Sequence, residues 1–204
     1  LSIRRQRQMC IRDRSYFISR NGELPPTGFT GPTIPAGAQR IVCMSSSYIA
    51  MLDAVGQVDR IVAVSGINYI ANPYILAHKD SIKDMGPEMN YELLLGLKPD
   101  VVLLYGIGDA QTAVTDKLKE LAIPYMYVGE YLEESPLGKA EWLVALSELT
   151  DSRDKGIDVF REIPKRYQAL KDLTASVEQR PTVMFNTPWN DSWVMPSTQS
   201  YMVQ

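Results

Sequence analysis

Five short apolar runs punctuate the middle of the chain at nearly even spacing, and each gives way to small or turn-forming residues. Residues 40–44 (RIVCM) end in three serines, and residues 60–64 (RIVAV) end in Ser65-Gly66. A weaker run at 81–84 ends in Met85-Gly86-Pro87, residues 100–104 (DVVLL) end in Tyr105-Gly106, and residues 125–128 (YMYV) end in Gly129. Four of the five show no inside–outside alternation, the pattern of strands buried on both faces of a parallel sheet. Apolar residues at helical spacing fill the gaps. Residues 47–55, 90–97 (with Asn90 as cap) and 110–122 are predicted helices. Strands and helices alternating through tight connections specify an α/β lobe with a mainly parallel, Rossmann-like sheet over residues 40–150.

Toward the end of the lobe and beyond it the pattern turns helical. Ser135-Pro136 is a helix start, a cap with proline at the first helical position, and that helix is expected to reach about Leu149. A second helix begins at Asp151. Ile157, Phe160, Ile163, Tyr167, Leu170, Leu173 and Val177 recur on it at steps of three and four, so it is predicted to run over 151–179 with Pro164 kinking it or disturbing one turn. A helix of that length reads as a spacer between two bodies. Strands are expected at 182–186 and 192–195 around a turn at 187–191, as the truncated start of a second α/β lobe (180–204).

Composition narrows the function classes. The net charge of −3 conceals five arginines against one aspartate in residues 1–14, and the remainder is clearly acidic. An acidic body offers no patch for nucleic acid. Residues 1–14 lack the apolar stretch of a secretory signal and are read as a non-native or disordered basic segment. Half of the sixteen residues 22–37 are Gly or Pro, so 15–39 is expected to be an extended arm without helix or strand pairing. Two cysteines form no disulfide framework, a single histidine forms no multi-histidine metal site, and no apolar stretch approaches a membrane span.

Four segments carry a resemblance: RIVCMSSSYIAMLDAVGQVDRIVAVSG, DMGPEMNYELLLGLKPDVVLLYG, LKELAIPYMYVGEYLEESPLGKAEW and RPTVMFNTPWNDSWVMPS. Over about residues 39–204 the chain resembles the class III substrate-binding proteins of ABC importers, the family handling iron–siderophore complexes, haem and cobalamin. The resemblance implies two α/β lobes joined by one long helix, ligand in the cleft between them, and a permease as partner. It implies a periplasmic or lipid-anchored location, with the export signal outside this chain, and no catalysed reaction, cofactor or bound metal of its own. It further implies that Glu92, on the helix before LKPD, pairs with a permease arginine. The alternative for Glu92 is a first-turn carboxylate complementing the helix dipole.

Ligands of open parallel sheets bind beyond the carboxyl ends of the strands. The residues expected there are Ser46, Ser47 and Tyr48, Asn68 and Tyr69, Met85, Tyr105, Gly106 and Gly108, and Tyr131. Trp189 and Asn190 of the second lobe would face them. These loops contain no Arg or Lys, which argues against a trianionic catecholate. An amide-rich corrinoid or a neutral hydroxamate chelate fits better, and a haem would find tyrosine as an axial ligand type. Two rivals stay open. Gly106-Ile107-Gly108 suggests a nucleotide-binding enzyme, although Gln111 stands where the fingerprint has its third glycine. The other rival is an interaction module of the same fold with no small ligand. The serines lack a G-x-S-x-G frame, Trp142 and Cys43 read as core, and His78 as surface.

Overall fold

A computed structural model describes residues 16–203 apart from 87, 107–109, 189 and 199. The basic segment 1–14, Gly108 and Trp189 lie outside the described residues. The chain opens with two short strands, β1 (Phe17–Ser19) and β2 (Thr33–Pro35), followed by β3 (Ile41–Cys43), α1 (Ser46–Ala54), β4 (Ile61–Val64), α2 (Pro73–Ala77) and β5 (Lys83–Asp84). Then come α3 (Tyr91–Leu97), β6 (Val101–Leu104), α4 (Ala110–Glu120), β7 (Tyr125–Tyr127), α5 (Pro136–Leu149) and α6 (Arg153–Ala175).

All five predicted runs become strands of one sheet in the order β5-β4-β3-β6-β7, and every pairing is parallel. Ile41, Val42 and Cys43 of β3 and Val101 through Leu104 of β6 are buried along their whole length. Continuous apolar runs are what a central strand covered on both faces requires. Burial pushes the Cys43 thiol well above its ordinary value, so it behaves as a small apolar side chain. The helix starts follow their caps. Asn90 Oδ1 accepts from Leu93 N at 3.0 Å, and Ser135 Oγ accepts from Gly138 N at 3.0 Å with Pro136 opening the turn. Trp142 is buried and its indole donates to Glu133 Oε1 at 2.8 Å, whereas His78 is exposed and stacks on Tyr74.

The arm is more than extended chain. β1 and β2 pair in parallel, in register Phe17 with Thr33 through Ser19 with Pro35. The pairing survives the glycines and prolines because the lobe supplies the burial that the ribbon alone lacks. Ile34 is buried, Tyr127 N of β7 donates to Tyr16 Oη at 3.2 Å, and Gly37 N and Ala38 N both donate to Leu149 O. Arg20 adds a bond to Glu148 at 2.8 Å, and Arg60 reaches Ala38 O and Thr150 O at 2.9 Å each. The arm thus supplies a partner for the edge strand β7 as well as tethering the lobe's amino end.

α6 is shorter than the predicted 151–179 and runs through Pro164 as one helix, about 35 Å long at 1.5 Å per residue. Proline removes one backbone donor there without ending the helix. The first half packs on α5 so closely that Gly156 is required. A Cβ at that position would lie 2.6 Å from Ser147 Cβ and nearer still to its Oγ. Ile157, Phe160 and Ile163 are half-buried, but Tyr167, Leu170, Leu173 and Val177 are exposed. The expected strands at 182–186 and 192–195 do not form among the described residues. Asn190 and Asp191, both at positive φ, turn the chain as in a tight hairpin, and Trp193 Nε1 donates to Phe185 O at 2.9 Å across it. Val183, Met184, Val194 and Met195 stay exposed, and two strands without a covered face are marginal in water.

Gly156→Ala is expected to cost about 1–3 kcal/mol through overpacking against Ser147. Leu170→Ala, on the uncovered half of the same helix, is expected to stay within about 0.5 kcal/mol of wild type. Urea unfolding of both variants measures the contrast.

Candidate functional site

Parallel strands share their direction, so all five carboxyl ends lie along one rim. The chain moves outward from β3 through β4 to β5, then crosses back to β6 on the far side of β3. The connections after β3 and β6 therefore depart in opposite directions, the arrangement of a topological switch point. Ser46 lines a hollow with Tyr69 and Asn72, and Ser47 lines a second one with Glu130, Tyr131 and Lys139; Tyr105 and Gly106 line neither.

The serine loop is organised by its own hydroxyls. Ser45 caps α1, its Oγ lying 2.9 Å from Ser47 Oγ, and Ser47 Oγ donates to Glu130 Oε1 at 2.6 Å. This ties the start of α1 to the turn after β7 and leaves Ser46 the most exposed of the three serines. Tyr131 is committed too, its Oη donating to Gly106 O at 2.8 Å. A Cβ on Gly106 would sit 3.3 Å from that hydroxyl and 3.4 Å from the Tyr127 ring. The glycine at this turn thus makes room for two tyrosines, a packing role that asks for no phosphate.

Two of the residues expected at the rim are withdrawn by their burial. Tyr48 has no exposed surface, and its hydroxyl lies 3.2 Å from both Leu104 O and Val128 O. It bridges the ends of β6 and β7 from inside. Burial first, and the nearby Glu130 carboxylate second, push its hydroxyl far above the ordinary tyrosine value. Met85 is 2% exposed, and its backbone continues the sheet by donating to Val64 O at 2.8 Å. Position after a strand end placed both at the rim, but each side chain reaches inward, where the core takes it up. Asn190 lies exposed in its own turn beyond α6, and no hydrogen bond among the described residues joins it to the rim.

Of the residues expected at the rim, the exposed aromatics are Tyr69, 93% accessible at the end of a short turn over Ile67–Tyr69, and Tyr105, 39% accessible after β6. Asn68 beside Tyr69 is exposed as well. The turn that carries Tyr69 is held by Asp84. Asp84 Oδ1 accepts from Gly66 N and Gly86 N at 2.9 Å each, and Oδ2 accepts from Ile67 N at 3.2 Å. Desolvation, the largest single influence, raises the Asp84 carboxyl, but the three backbone donors together outweigh it and hold it below its ordinary value of 3.8. Asp84 did not stand out in the sequence, although Asp-x-Gly is the pattern of a side chain closing a turn on its own backbone. Lys139 was equally hidden. It comes from α5, outside the strand-end loops, and its Nζ donates to Glu130 O at 3.1 Å, bringing one cation beside a rim expected to hold none.

Glu92 is exposed in the first turn of α3. α3 ends where β6 begins, so its first turn lies toward the same rim. Among the described residues no three His, Cys, Asp or Glu side chains gather as a metal site, and no helix is long and apolar enough to cross a membrane.

The structure is thus an all-parallel five-stranded α/β lobe followed by a long helix. A family model described as periplasmic binding protein matches residues 41–204, and the chain belongs to that family. An uncharacterized lipoprotein of Methanocaldococcus jannaschii is 25% identical over 178 residues, covering 81% of this chain and 42% of that protein. The vitamin B12-binding protein of Yersinia pestis is 35% identical over 97 residues, covering 47% of this chain and 33% of that protein. The chain therefore spans less than half the length of either curated relative. The crystal structure of the periplasmic vitamin B12-binding protein of Vibrio cholerae shares the fold, with a TM-score of 0.55 at 23% identity over 70% of this chain and 53% of that one.

Tyr48→Phe is expected to destabilise the lobe by about 1–2 kcal/mol, because the one hydroxyl proton shared between Leu104 O and Val128 O is lost, while Leu104 O keeps its bond from Val128 N. For Asp84 the lowered value in the folded state fixes the sign. Its contribution is complete above the unfolded value and drains away as pH falls through the folded one. Thermal melts are expected to show Asp84→Asn less stable than wild type near neutrality, the gap narrowing as the pH is taken below the ordinary carboxyl value of 3.8.

Proposed function

We propose that this chain is the ligand-binding lobe and connecting helix of an ABC-importer solute-binding protein that captures a corrinoid or an uncharged metal chelate and delivers it to a permease. The observation that carries this reading is the rim itself, where Tyr69 and Tyr105 present aromatic surface beside Ser46 and Asn68. Aromatic faces supply contact area to a bulky ligand, and the flanking hydroxyl and amide groups orient it. Lys139 is a single cation on a turn that also carries the Glu130 carboxylate, too little positive charge for a multiply charged anion. Relatives named as vitamin B12-binding proteins favour a corrinoid among the uncharged choices. The chemistry is selective binding, with no bond made or broken, and the work takes place in the periplasm or at the cell surface on a lipid anchor. Glu92, exposed on the rim side of α3, is the docking residue for a basic side chain of the permease.

Calorimetric titration with cyanocobalamin, a ferric hydroxamate, a ferric catecholate and haemin tests the reading. Cyanocobalamin or the hydroxamate is expected to bind and the catecholate to fail. Tyr69→Ala is expected to weaken that binding about tenfold, the scale of one lost aromatic contact. Binding of NADH or ATP with none of the chelates, or a preference for the catecholate, overturns it. Glu92→Arg is expected to leave ligand affinity unchanged and to abolish delivery in vesicles containing the permease. Unimpaired delivery removes Glu92 from the docking surface.

A further inference from the structure

The edge of the sheet beneath Tyr69 is thin. β5 has two residues, and its pairing with β4 amounts to Ala63 with Lys83 and Val64 with Asp84. One further backbone bond, Met85 N to Val64 O at 2.8 Å, closes the ladder, yet the turn bearing the most exposed aromatic ring of the rim lies beyond it. A tyrosine that is 93% accessible has almost no packing of its own to fix it. Something else must hold its backbone, or the ring's ordering cost falls on the ligand.

We propose that Asp84 is the positioning residue for Tyr69: its carboxylate locks two rim connections into one unit and so sets the affinity that the tyrosine delivers, without itself touching ligand. The inference rests on the binding role proposed for this rim. Three backbone donors from two separate connections converge on one carboxylate, Gly66 and Ile67 from the loop after β4 and Gly86 from the loop after β5. Ser65 Oγ, donating to Gly86 O at 2.9 Å, adds a second cross-link between the same two loops. Gly66 transmits the restraint. It adopts φ +68, a conformation that costs a side chain dearly, and Tyr69 N donates back to its carbonyl at 2.9 Å. An added Cβ on Gly66 would lie 3.3 Å from Tyr69 Cδ2, so the ring rests over the glycine that Asp84 grips. The carboxylate thereby continues the β4–β5 pairing past the point where the strands stop. Charge-assisted bonds suit this task because each is stronger than a neutral one.

A double-mutant cycle on the full chain, read by cyanocobalamin titration, separates positioning from general stability. Asp84→Ala is expected to weaken binding about five- to tenfold when Tyr69 is present, and less than about twofold in a Tyr69→Ala background. Asp84→Asn, which keeps one acceptor oxygen, is expected to fall between wild type and Asp84→Ala. Thermal denaturation serves as the control, with the stability loss from Asp84→Ala the same in both backgrounds. Equal losses of affinity in both backgrounds overturn the inference and leave the binding role standing. So does a Tyr69→Ala variant with wild-type affinity. Should cyanocobalamin not bind at all, the corrinoid reading fails, and amide relaxation decides the positioning role alone. Order parameters at Ile67 and Tyr69 that drop in Asp84→Ala support it, and unchanged ones overturn it.

Discussion

The parallel pairing of β3 with β4 on one side and β6 on the other governs the rest of the molecule. β3 and β6 are buried throughout and β4 at all but Val62, and Val42 and Cys43 have no exposed surface at all. A strand so placed needs apolar residues on both faces and a crossover before its parallel neighbour. The crossovers return the chain to the same end of the sheet every time, which delivers five connections to one rim. Reversing a single strand would send its connection to the opposite end and empty part of the rim.

Rim and base of the lobe are built differently. At the base, long-range polar links clamp the arm and helix ends together: Gln39 N and Arg40 N on Asp100 at 2.7 and 2.9 Å, Arg40 Nε on Leu97 O at 2.8 Å, and Arg60 on two carbonyls. At the rim the links are among the loops themselves, Ser47 to Glu130, Tyr131 to Gly106 and Asp84 to three amides. The base fixes the lobe as a unit. The rim's short links hold its loops in shape while leaving Tyr69, Tyr105, Ser46 and Asn68 outward.

Much of this architecture was legible in the residues. Unbroken apolar runs at 40–44, 60–64, 100–104 and 125–128 gave the strands and their parallel class, and Asn90 and Ser135-Pro136 marked helix starts that the structure keeps. The site was legible only in part. Tyr69 and Tyr48 are both tyrosines in strand-end loops, yet one is almost wholly exposed and the other fully buried. No local pattern separates them, because the difference lies in whether the ring falls over the ends of β6 and β7. The ribbon of β1 and β2 was missed for a related reason. Its glycines and prolines argue against pairing, and burial against the lobe overrides them.

By itself the sequence determined the alternation of strands and helices, the positions of the caps and the long helix after the lobe. Those depend on periodicity and on hydrogen bonds within a few residues, which are local. The tertiary structure alone decided that Asp84 reaches the amides of Gly66 and Ile67, that Lys139 comes to Glu130, and that Gly156 gives way to Ser147. Asp84 and Gly66 are eighteen positions apart. Only the pairing of β4 with β5 sets the distance between them, and that register is a property of the packed sheet.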